Sequence, residues 1–267
     1  MKNEFDLTKK ELRRILIARG GIIKPLKIYF KGNHYSFGAI GDTHLCSKEE
    51  KLTELTTFYE VCQRDGIKEI YHAGDILDGQ GVYTGHEYEV HTFGLDNQVN
   101  YCVANYPKMD GIKTHFIIGN HDAIYYKKLG ADVGKMIAEK RSDLNYLGMY
   151  NAEVEITPEI KLRLVHPDKA GAYAISYHAQ KFVEQILSGK KPRVLLMGHT
   201  HTNYHFHYRN ILCIGVGAFQ GQTSFILRKG INPVIGGWII RLTINKGNVT
   251  RIQTEFIPIY EKEAKDV

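Results

Sequence analysis

Gly74–Asp78, with the sequence GDILD, directly follows the strand-like run Glu69–His72, and this succession decides the fold. Four further segments place Asp, Asn or His where a strand-like run has just ended. They are Gly41–His44 (GDTH), Gly119–Asp122 (GNHD), His166 and Gly198–His201 (GHTH). In α/β sheets, ligand sites form beyond the carboxyl ends of strands, and a glycine at the exit lets the backbone turn sharply. We therefore expect the five segments to converge on one site.

Strand-like and helical runs alternate on either side of this segment, which predicts an α/β fold. Strands are expected at Leu26–Phe30 and Tyr35–Ile40. Ser47 and Glu50 have the spacing of a capping box, which would open the next helix. Apolar residues at helical spacing predict one helix over Tyr126–Ile137. The later part of the chain is richer in strands, so two packed sheets flanked by helices are expected.

The chain divides into a short arm and one domain. No repeat or long linker interrupts residues 26–267, so we expect a single domain there. Residues 1–25 form a basic amphipathic arm, and about half of the net charge of +6 lies in its first 20 residues. A docking helix with a solvated basic face is favoured for this arm over a nucleic-acid contact.

Composition excludes two classes of protein. Hydrophobic residues are 43% and charged residues 24% of the chain, and the mean hydropathy is −0.30, which argues against both a membrane protein and a disordered chain. Met1 is followed by charged residues rather than an apolar secretion segment, so we expect a cytoplasmic protein with no membrane partner. The four cysteines form no C-x-x-C pair and are expected to be reduced thiols.

The residue types of the five segments suit catalysis by two metal ions. Two divalent ions roughly 3.5–4 Å apart clamp the attacking and leaving oxygens of a phosphate ester, and a hydroxide shared between them is the nucleophile. A carboxylate can bridge two ions, so we assign the bridge to Asp75. One ion would take Asp42, His44 and His201, and the other Asn120, His166 and His199. Manganese is expected first, with iron, zinc or nickel as alternatives, because magnesium prefers oxygen ligands alone.

His121 remains beside the expected site without being needed as a ligand. An imidazole there would protonate the leaving alkoxide, which typically accelerates a reaction by about 10²–10⁴-fold. A carboxylate must orient the ring, and we assign Asp78 to this role, with Asp122 as the weaker alternative. Among the ligands, His178 is the alternative to His166, which has no motif around it.

The ordered set GDTH, GDILD, GNHD, His166 and GHTH resembles the calcineurin-like metallophosphoesterase superfamily. The resemblance runs from Asp42 to His201, which is 160 of 267 residues. It implies a four-layer α/β/β/α sandwich that hydrolyses phosphomonoesters or phosphodiesters with two metal ions. It also implies that the ligand and acid roles fall on the positions assigned above.

Two further stretches carry a narrower resemblance. Gly74–Tyr83 and Ala218–Phe225 resemble the exonuclease small subunit of archaeal family D DNA polymerase, and the segment His166–Lys181 resembles phage-type phosphoesterases. The long region that precedes the phosphoesterase part of that subunit has no counterpart here, which counts against a place inside a polymerase. Gly79 stands where the protein Ser/Thr phosphatases of the superfamily have Arg, which counts against that activity.

These observations predict a metal-dependent phosphodiesterase, and most specifically an exonuclease or other nuclease on DNA or RNA. Nucleic acid is the expected substrate, and a DNA-replication or repair protein is the expected partner. A phosphatase or phosphodiesterase of small nucleotides, and a non-catalytic scaffold of the same fold, stay open as alternatives. Five aromatic residues lie beside the motifs, where they would either stack on bases or pack inside the protein. They are Tyr83, Tyr88, Tyr125, Tyr126 and Phe219.

Overall fold

The computed structural model describes residues 25–168, 172–187, 189 and 191–260. The arm expected over residues 1–25 lies outside the described residues except for Pro25, so its boundary with the domain stays a prediction. The helices are α1 (Leu52–Arg64), α2 (Leu95–Asn105), α3 (Ala123–Leu129), α4 (Val133–Lys140), α5 (Tyr177–Glu184) and α6 (Ser224–Arg228). The strands are β1 (Leu26–Lys27), β2 (His34–Ile40), β3 (Glu69–His72), β4 (Lys113–Ile118), β5 (Leu144–Met149), β6 (Asn151–Glu155), β7 (Lys161–Val165), β8 (Val194–Met197), β9 (Asn203–Tyr208), β10 (Ile211–Val216), β11 (Gly236–Asn245) and β12 (Asn248–Pro258).

Two mixed sheets, each of six strands in the described part of the chain, form the centre of the fold. The first sheet has the order β12-β11-β2-β3-β4-β5, in which β2 to β5 are parallel and β11 and β12 are antiparallel additions. The second sheet has the order β1-β6-β7-β8-β10-β9, in which β7, β8 and β10 are parallel. The segments with Asp, Asn and His follow β2, β3, β4, β7 and β8. Parallel pairing brings the carboxyl ends of the first three strands to one edge of the first sheet and those of β7 and β8 to one edge of the second.

The layers are fixed by side chains that alternate across the sheets. On β3, Ile70 packs beneath α1, α2 and α4, whereas Tyr71 lies in the core between the two sheets. Leu195 of β8 faces the other side of the second sheet, where Ala179 and Val183 of α5 cover it. Strands buried on both faces are typical of parallel sheets between helices. The prediction of a four-layer α/β/β/α sandwich of two mixed sheets is confirmed.

The predicted capping box does not cap α1. Lys51 is the N-cap of this helix, and Glu50 is turned away from it. The Glu50 carboxylate accepts hydrogen bonds from the Cys46 amide at 2.7 Å and from the Tyr101 hydroxyl. The prediction was wrong because Ser47 belongs to a looped segment that forms bridges with neighbouring loops before the helix begins.

The single helix predicted over Tyr126–Ile137 is two helices. Gly130, at φ +71°, ends α3 in the left-handed conformation, and Asp132 caps α4 by accepting a hydrogen bond from the Lys135 amide. The first strand is also shorter than predicted: it ends at Lys27, and the positive φ of Tyr29 (+55°) departs from the extended backbone of a strand. In the described residues, no helix combines the length and the apolar character needed to cross a bilayer.

Candidate metal centre

The structure brings together the side chains that the sequence singled out at the strand ends. Asp42 and His44 follow β2, Asp75 and Asp78 follow β3, Asn120 and His121 follow β4, His166 follows β7, and His199 and His201 follow β8. The three aspartates, His44 and His166 are at most 1% exposed. Acids and imidazoles buried at this density require partners or bound cations.

Asp42, His44 and His201 form the first cluster, in which the potential ligand atoms all lie within 4.8 Å of one another. The Oδ1 atom of Asp42 is 3.9 Å from Nε2 of His44 and 3.6 Å from Nε2 of His201. These separations are too long for hydrogen bonds. They suit atoms that share one ion, since metal–ligand bonds of about 2.0–2.2 Å place neighbouring ligands roughly 3–4 Å apart.

Asp75, His166 and His199 form the second cluster. Nε2 of His166 lies 3.0 Å from Oδ2 of Asp75 and 3.0 Å from Oδ1 of Asn120. The ring of His199 is 5.0 Å from that of His166, measured between centroids. Two imidazoles, a carboxylate and an amide oxygen thus surround this second position.

The Asp75 carboxylate, a member of the second cluster, lies between the two clusters. Its Oδ2 atom lies 3.8 Å from Nε2 of His44 in the first cluster and 3.0 Å from Nε2 of His166 in the second. Its Oδ1 atom accepts a hydrogen bond from the His121 amide at 2.9 Å. This is the arrangement that a carboxylate shared by two ions needs.

The hydrogen bonds of the two buried histidines fit a divalent metal centre. Nδ1–H of His44 donates to Oδ1 of Asp78 at 2.9 Å, and Nδ1–H of His166 donates to the Ala73 carbonyl at 2.8 Å. In both rings Nδ1 therefore carries a proton. Nε2 of His44 is left to offer a lone pair, whereas Nε2 of His166 lies 3.0 Å from oxygens of Asp75 and Asn120. Nε2 of His44 is buried and has no hydrogen-bond partner among the described residues. Metal-binding histidines have this pattern of outer hydrogen bonds.

Glycines leave the space in which the ligands meet. A Cβ atom at Gly119 would lie 2.6 Å from Nε2 of His166 and closer still to Asp75. A Cβ atom at Gly74 would lie 2.5 Å from Nδ1 of His166, and its φ of +100° also disfavours other residues. These two glycines in the strand-end motifs are therefore steric requirements of the site.

The backbone is strained where the candidate ligands lie. Five of them have a positive φ, a conformation that residues other than glycine rarely adopt. They are Asp42 at +50°, His44 at +43°, Asp75 at +55°, His199 at +76° and His201 at +52°. Such conformations cost on the order of 1–3 kcal/mol each and cluster at functional sites.

Without a bound cation, the pKa values of several side chains in the site lie far from their ordinary values. Burial raises the pKa of Asp42 to about 8 and lowers that of His199 to about 3. Burial would also raise the pKa of Asp75, but the charges of His166 and His121 outweigh it and hold the pKa well below the ordinary value. A bound cation reverses the effect of burial on a carboxylate, because its charge favours the ionised form.

His121 lies beside the clusters and is oriented mainly by a backbone carbonyl. Its Nδ1–H donates to the Asp78 carbonyl at 2.6 Å, while Oδ1 of Asp78 is 3.3 Å away. Burial would lower the pKa of His121, but Asp75 and Asp78 outweigh it and raise the pKa to about 9. The Asp78 carboxylate makes its shorter contacts elsewhere, to His44, to Nε2 of His86 at 3.1 Å and to Nε2 of Gln220 at 3.2 Å.

Asp122, the alternative partner of His121, has a different position. Its carboxylate accepts hydrogen bonds from the amides of Ile76, Leu77 and Gly119, at 2.8–3.1 Å. It ties the loop after β3 to the loop after β4 and thereby sets the spacing of their ligands. His178, the alternative to His166, lies on α5 and lines a separate cavity.

Several residues of the site lacked a signal in the sequence. His86 is fully buried against Asp78, although no motif in the sequence marks this residue. Phe225 lines the cleft above the clusters and stacks on Tyr83. Of the other aromatics beside the motifs, Phe219 and Tyr125 are packed in the core. His86 and Phe225 lie in irregular loops or short elements, where periodicity indicates nothing.

Comparison with protein families identifies the fold. The model of the calcineurin-like phosphoesterase superfamily domain matches residues 36–227, which is more than two thirds of the chain. The chain belongs to the calcineurin-like phosphoesterase superfamily. All nine candidate site residues lie inside the segment of the chain that this family model matches.

Two curated relatives of the chain are archaeal proteins. The chain is 27% identical over 244 residues to the DNA polymerase II small subunit of Methanocaldococcus jannaschii, an alignment that covers 73% of this chain and 40% of the relative. The corresponding subunit of Archaeoglobus fulgidus is 24% identical over 243 residues, with 74% of this chain and 49% of the relative covered. The predicted resemblance is confirmed, and the chain spans less than half the length of these relatives.

Two solved structures are also similar. An archaeal phosphodiesterase superposes with a TM-score of 0.45 at 15% identity, covering 83% of this chain and 99% of the other. Vacuolar protein sorting 29 of Cryptosporidium parvum gives the same TM-score and identity, covering 85% of this chain and all of the other.

Proposed function

We propose that the chain is a metal-dependent phosphodiesterase that cleaves DNA or RNA, with exonuclease action as the specific expectation. The observation that carries the proposal is the Asp75 carboxylate, which lies within 3.8 Å of Nε2 of His44 and 3.0 Å of Nε2 of His166. A carboxylate shared by two sets of ligands serves to hold two ions close together, and this is the arrangement used to cleave phosphate esters.

Asp75 and the residues around it would hold the two ions. The first position would use Asp42, His44 and His201, and the second Asn120, His166 and His199, with Asp75 shared between them. When bound, two divalent ions supply Lewis-acid charge to the phosphate and lower the pKa of water. Manganese is the proposed metal, with iron, zinc or nickel as alternatives, because imidazole and oxygen ligands are mixed.

His121 would supply the proton to the leaving oxygen. Its Nδ1–H is committed to the Asp78 carbonyl, so Nε2 is the ring atom that remains for a substrate. His121 also lines the cleft above the two clusters. A positioned imidazole that protonates a leaving group typically contributes about 10²–10⁴-fold.

Nucleic acid is the proposed substrate for two reasons. The net charge of +6 favours a polyanionic partner. The curated relatives are named as DNA polymerase small subunits, which supports a role in DNA metabolism and a replication or repair protein as partner. A cytoplasmic location belongs to the same proposal, because a nuclease must share a compartment with its substrate.

The test is manganese-dependent hydrolysis of an end-labelled single-stranded DNA oligonucleotide, with bis-p-nitrophenyl phosphate and p-nitrophenyl phosphate in parallel. Asp75→Asn removes the shared charge, and Asp96→Asn makes the same chemical change at an exposed position of α2. We expect cleavage by the wild type and by Asp96→Asn, near-complete loss in Asp75→Asn, and a product ladder that starts at one end.

Other outcomes would contradict the proposal. Hydrolysis of the small esters alone would favour the alternative of a phosphatase or phosphodiesterase for small nucleotides. Full metal occupancy without hydrolysis of any ester would favour a non-catalytic scaffold. Full activity of Asp75→Asn would remove the shared-carboxylate assignment.

A further inference from the structure

One side of the cleft beside the two clusters of candidate ligands is apolar. We call it the aromatic wall, and it is formed by Tyr83, Phe225, Ile226 and Ile231. Tyr83 lies in the loop after β3, and Phe225 lies on the short helix α6, far away in the sequence. Their rings are stacked, with centroids 3.9 Å apart and an angle of 15° between the planes. Both rings are half-buried, so the stack is part of the surface of the cleft.

Glu89 holds the two aromatic residues in place. Its Oε1 atom accepts a hydrogen bond from the Phe225 amide at 2.8 Å, and its Oε2 atom accepts one from the Tyr83 hydroxyl. The N-cap Thr223 fixes α6 further by accepting a hydrogen bond from the Ile226 amide. The wall is thus positioned before any ligand arrives, which lowers the entropic cost of binding.

The wall and the clusters line the same cleft. His44, Asp75, His199 and His201 lie on its polar side. The Tyr83 ring is 6.2 Å from the His121 ring, so the wall adjoins the side on which the leaving group would be protonated.

Contact with the aromatic wall would not strengthen the binding of a phosphate group alone, because apolar and aromatic surface does not stabilise an anion. It would strengthen the binding of a nucleotide, because every base offers a flat π-face, and stacking on an aromatic side chain contributes about 1–3 kcal/mol per base. The exposed Lys229 places its ammonium 5.5 Å from the centroid of the Phe225 ring, which is a cation–π contact.

We propose that the aromatic wall binds the nucleobase of the leaving nucleotide, next to the bond that is cleaved. This inference rests on the proposed nuclease function and adds the group that the enzyme grips. It makes Phe225 and Tyr83 specificity residues for substrates with a base on the leaving side.

The test compares three dinucleotides: one with both bases, one abasic at the leaving nucleotide and one abasic at the retained nucleotide. For the wild type we expect kcat/KM to fall about tenfold when the leaving base is absent, within the range of one base–aromatic stack. Loss of the retained base should change it little. In Phe225→Leu the difference between the first two substrates should shrink to less than about twofold.

Phe225→Tyr retains an aromatic ring and should keep the tenfold discrimination. Tyr88→Leu removes an aromatic side chain that is 76% exposed outside the cleft, and it should also keep the discrimination. A second readout needs no variant: thymidine, the alcohol product that carries the leaving base, should raise the melting temperature of the manganese-loaded protein more than deoxyribose does.

Equal kcat/KM for the base-containing and leaving-abasic dinucleotides in the wild type would overturn the inference, and so would undiminished discrimination in Phe225→Leu. In both cases nucleic acid is still cleaved, so the nuclease proposal would stand. Failure to cleave any dinucleotide or oligonucleotide, with small esters still hydrolysed, would instead remove the nuclease function itself.

Discussion

Oδ2 of Asp78 lies 3.1 Å from Nε2 of His86, and both side chains are at most 1% exposed. Nδ1 of His86 accepts a hydrogen bond from the Val82 amide at 3.3 Å, which leaves the proton on Nε2 for the carboxylate. The other oxygen of Asp78 accepts a hydrogen bond from His44 at 2.9 Å. His86 therefore fixes the carboxylate that fixes a candidate metal ligand.

The first prediction follows from this relay. His86→Phe preserves the ring volume but removes the donor to Asp78, so the orientation of His44 should relax. We expect metal affinity to fall, but by less than the factor of about 10–100 that follows the loss of a direct outer hydrogen-bond partner of a ligand. Competition with a chelating dye measures this affinity. His86→Gln retains a donor group and should recover part of the loss, whereas equal affinities in all three proteins would contradict the relay.

Metal removal should lower thermal stability. Manganese at 100 times its dissociation constant stabilises the folded state by about 2.7 kcal/mol per ion. At this chain length that corresponds to a rise in melting temperature of roughly 5–10 °C. The measurement is thermal unfolding in chelator and in manganese. Asp75 lies between the two clusters. Asp75→Asn should therefore lose more than half of the manganese-dependent rise in melting temperature, and Asp96→Asn should keep all of it.

The acid role of His121 predicts a dependence on the leaving group. His121→Asn should slow cleavage of DNA by about 10²–10⁴-fold, because an alkoxide leaves poorly without a proton. Bis-p-nitrophenyl phosphate releases a stable phenolate, so its hydrolysis should fall far less. Parallel kcat values on the two substrates, with metal content measured in the same samples, provide the test. Equal losses on both, together with lost metal, would make His121 a ligand instead.

The Arg141–Asp143 pair predicts a pH-dependent stability outside the site. The Arg141 guanidinium donates to both oxygens of Asp143, at 2.8 and 2.6 Å. Burial would raise the pKa of Asp143, but the hydrogen bond from Arg141 outweighs it and lowers the pKa below 3.8. Because the folded-state pKa is depressed, the stabilisation is present above the ordinary value and is lost as the pH falls through the folded-state value.

Asp143→Asn should therefore lower the free energy of unfolding by about 1.5–3 kcal/mol at pH 7, the scale of a hydrogen bond to a charged group. The difference from the wild type should shrink as the solution is acidified below the ordinary pKa of 3.8. Urea unfolding of both proteins across this range measures it. A difference that stays constant with pH would exclude the charge of Asp143 as its origin.

The position of the site could be predicted because its residues follow regular strands. Asp42, Asp75 and Asn120 each come directly after a glycine that ends a strand, and parallel strands deliver their carboxyl ends to one edge. Local sequence therefore contained long-range information. The ligand assignments themselves stay predictions until metal content and activity are measured.

The remainder of the site could not be predicted, because it depends on contacts between distant loops. Phe225 meets Tyr83 only after α6 docks beside the loop that follows β3, and Glu89 connects the two. Nothing in the sequence distinguishes His86 from an ordinary polar loop residue, because only the folded chain brings its Nε2 to Oδ2 of Asp78. No periodicity marks such residues, since their partners lie on other elements.

Errors in the fold have a similar origin. The spacing of Ser47 and Glu50 satisfied a local rule for helix capping, but Glu50 instead bonds the Tyr101 hydroxyl on α2. The apolar spacing over Tyr126–Ile137 continues across Gly130, but the left-handed backbone of this glycine ends α3. In both places a tertiary or backbone requirement overrode a pattern that was sound on its own terms.

The positive φ values of the five candidate ligands have a consequence for engineering. Replacing His201 by glycine relieves backbone strain and removes an imidazole whose buried Nδ1 has no hydrogen-bond partner among the described residues, so we expect the metal-free fold to gain stability as it loses a candidate ligand. A screen for thermostable variants carried out in chelator would therefore favour variants that have lost candidate metal ligands. Selection in the presence of manganese would oppose that drift, because only chains that keep their ligands gain from the ion.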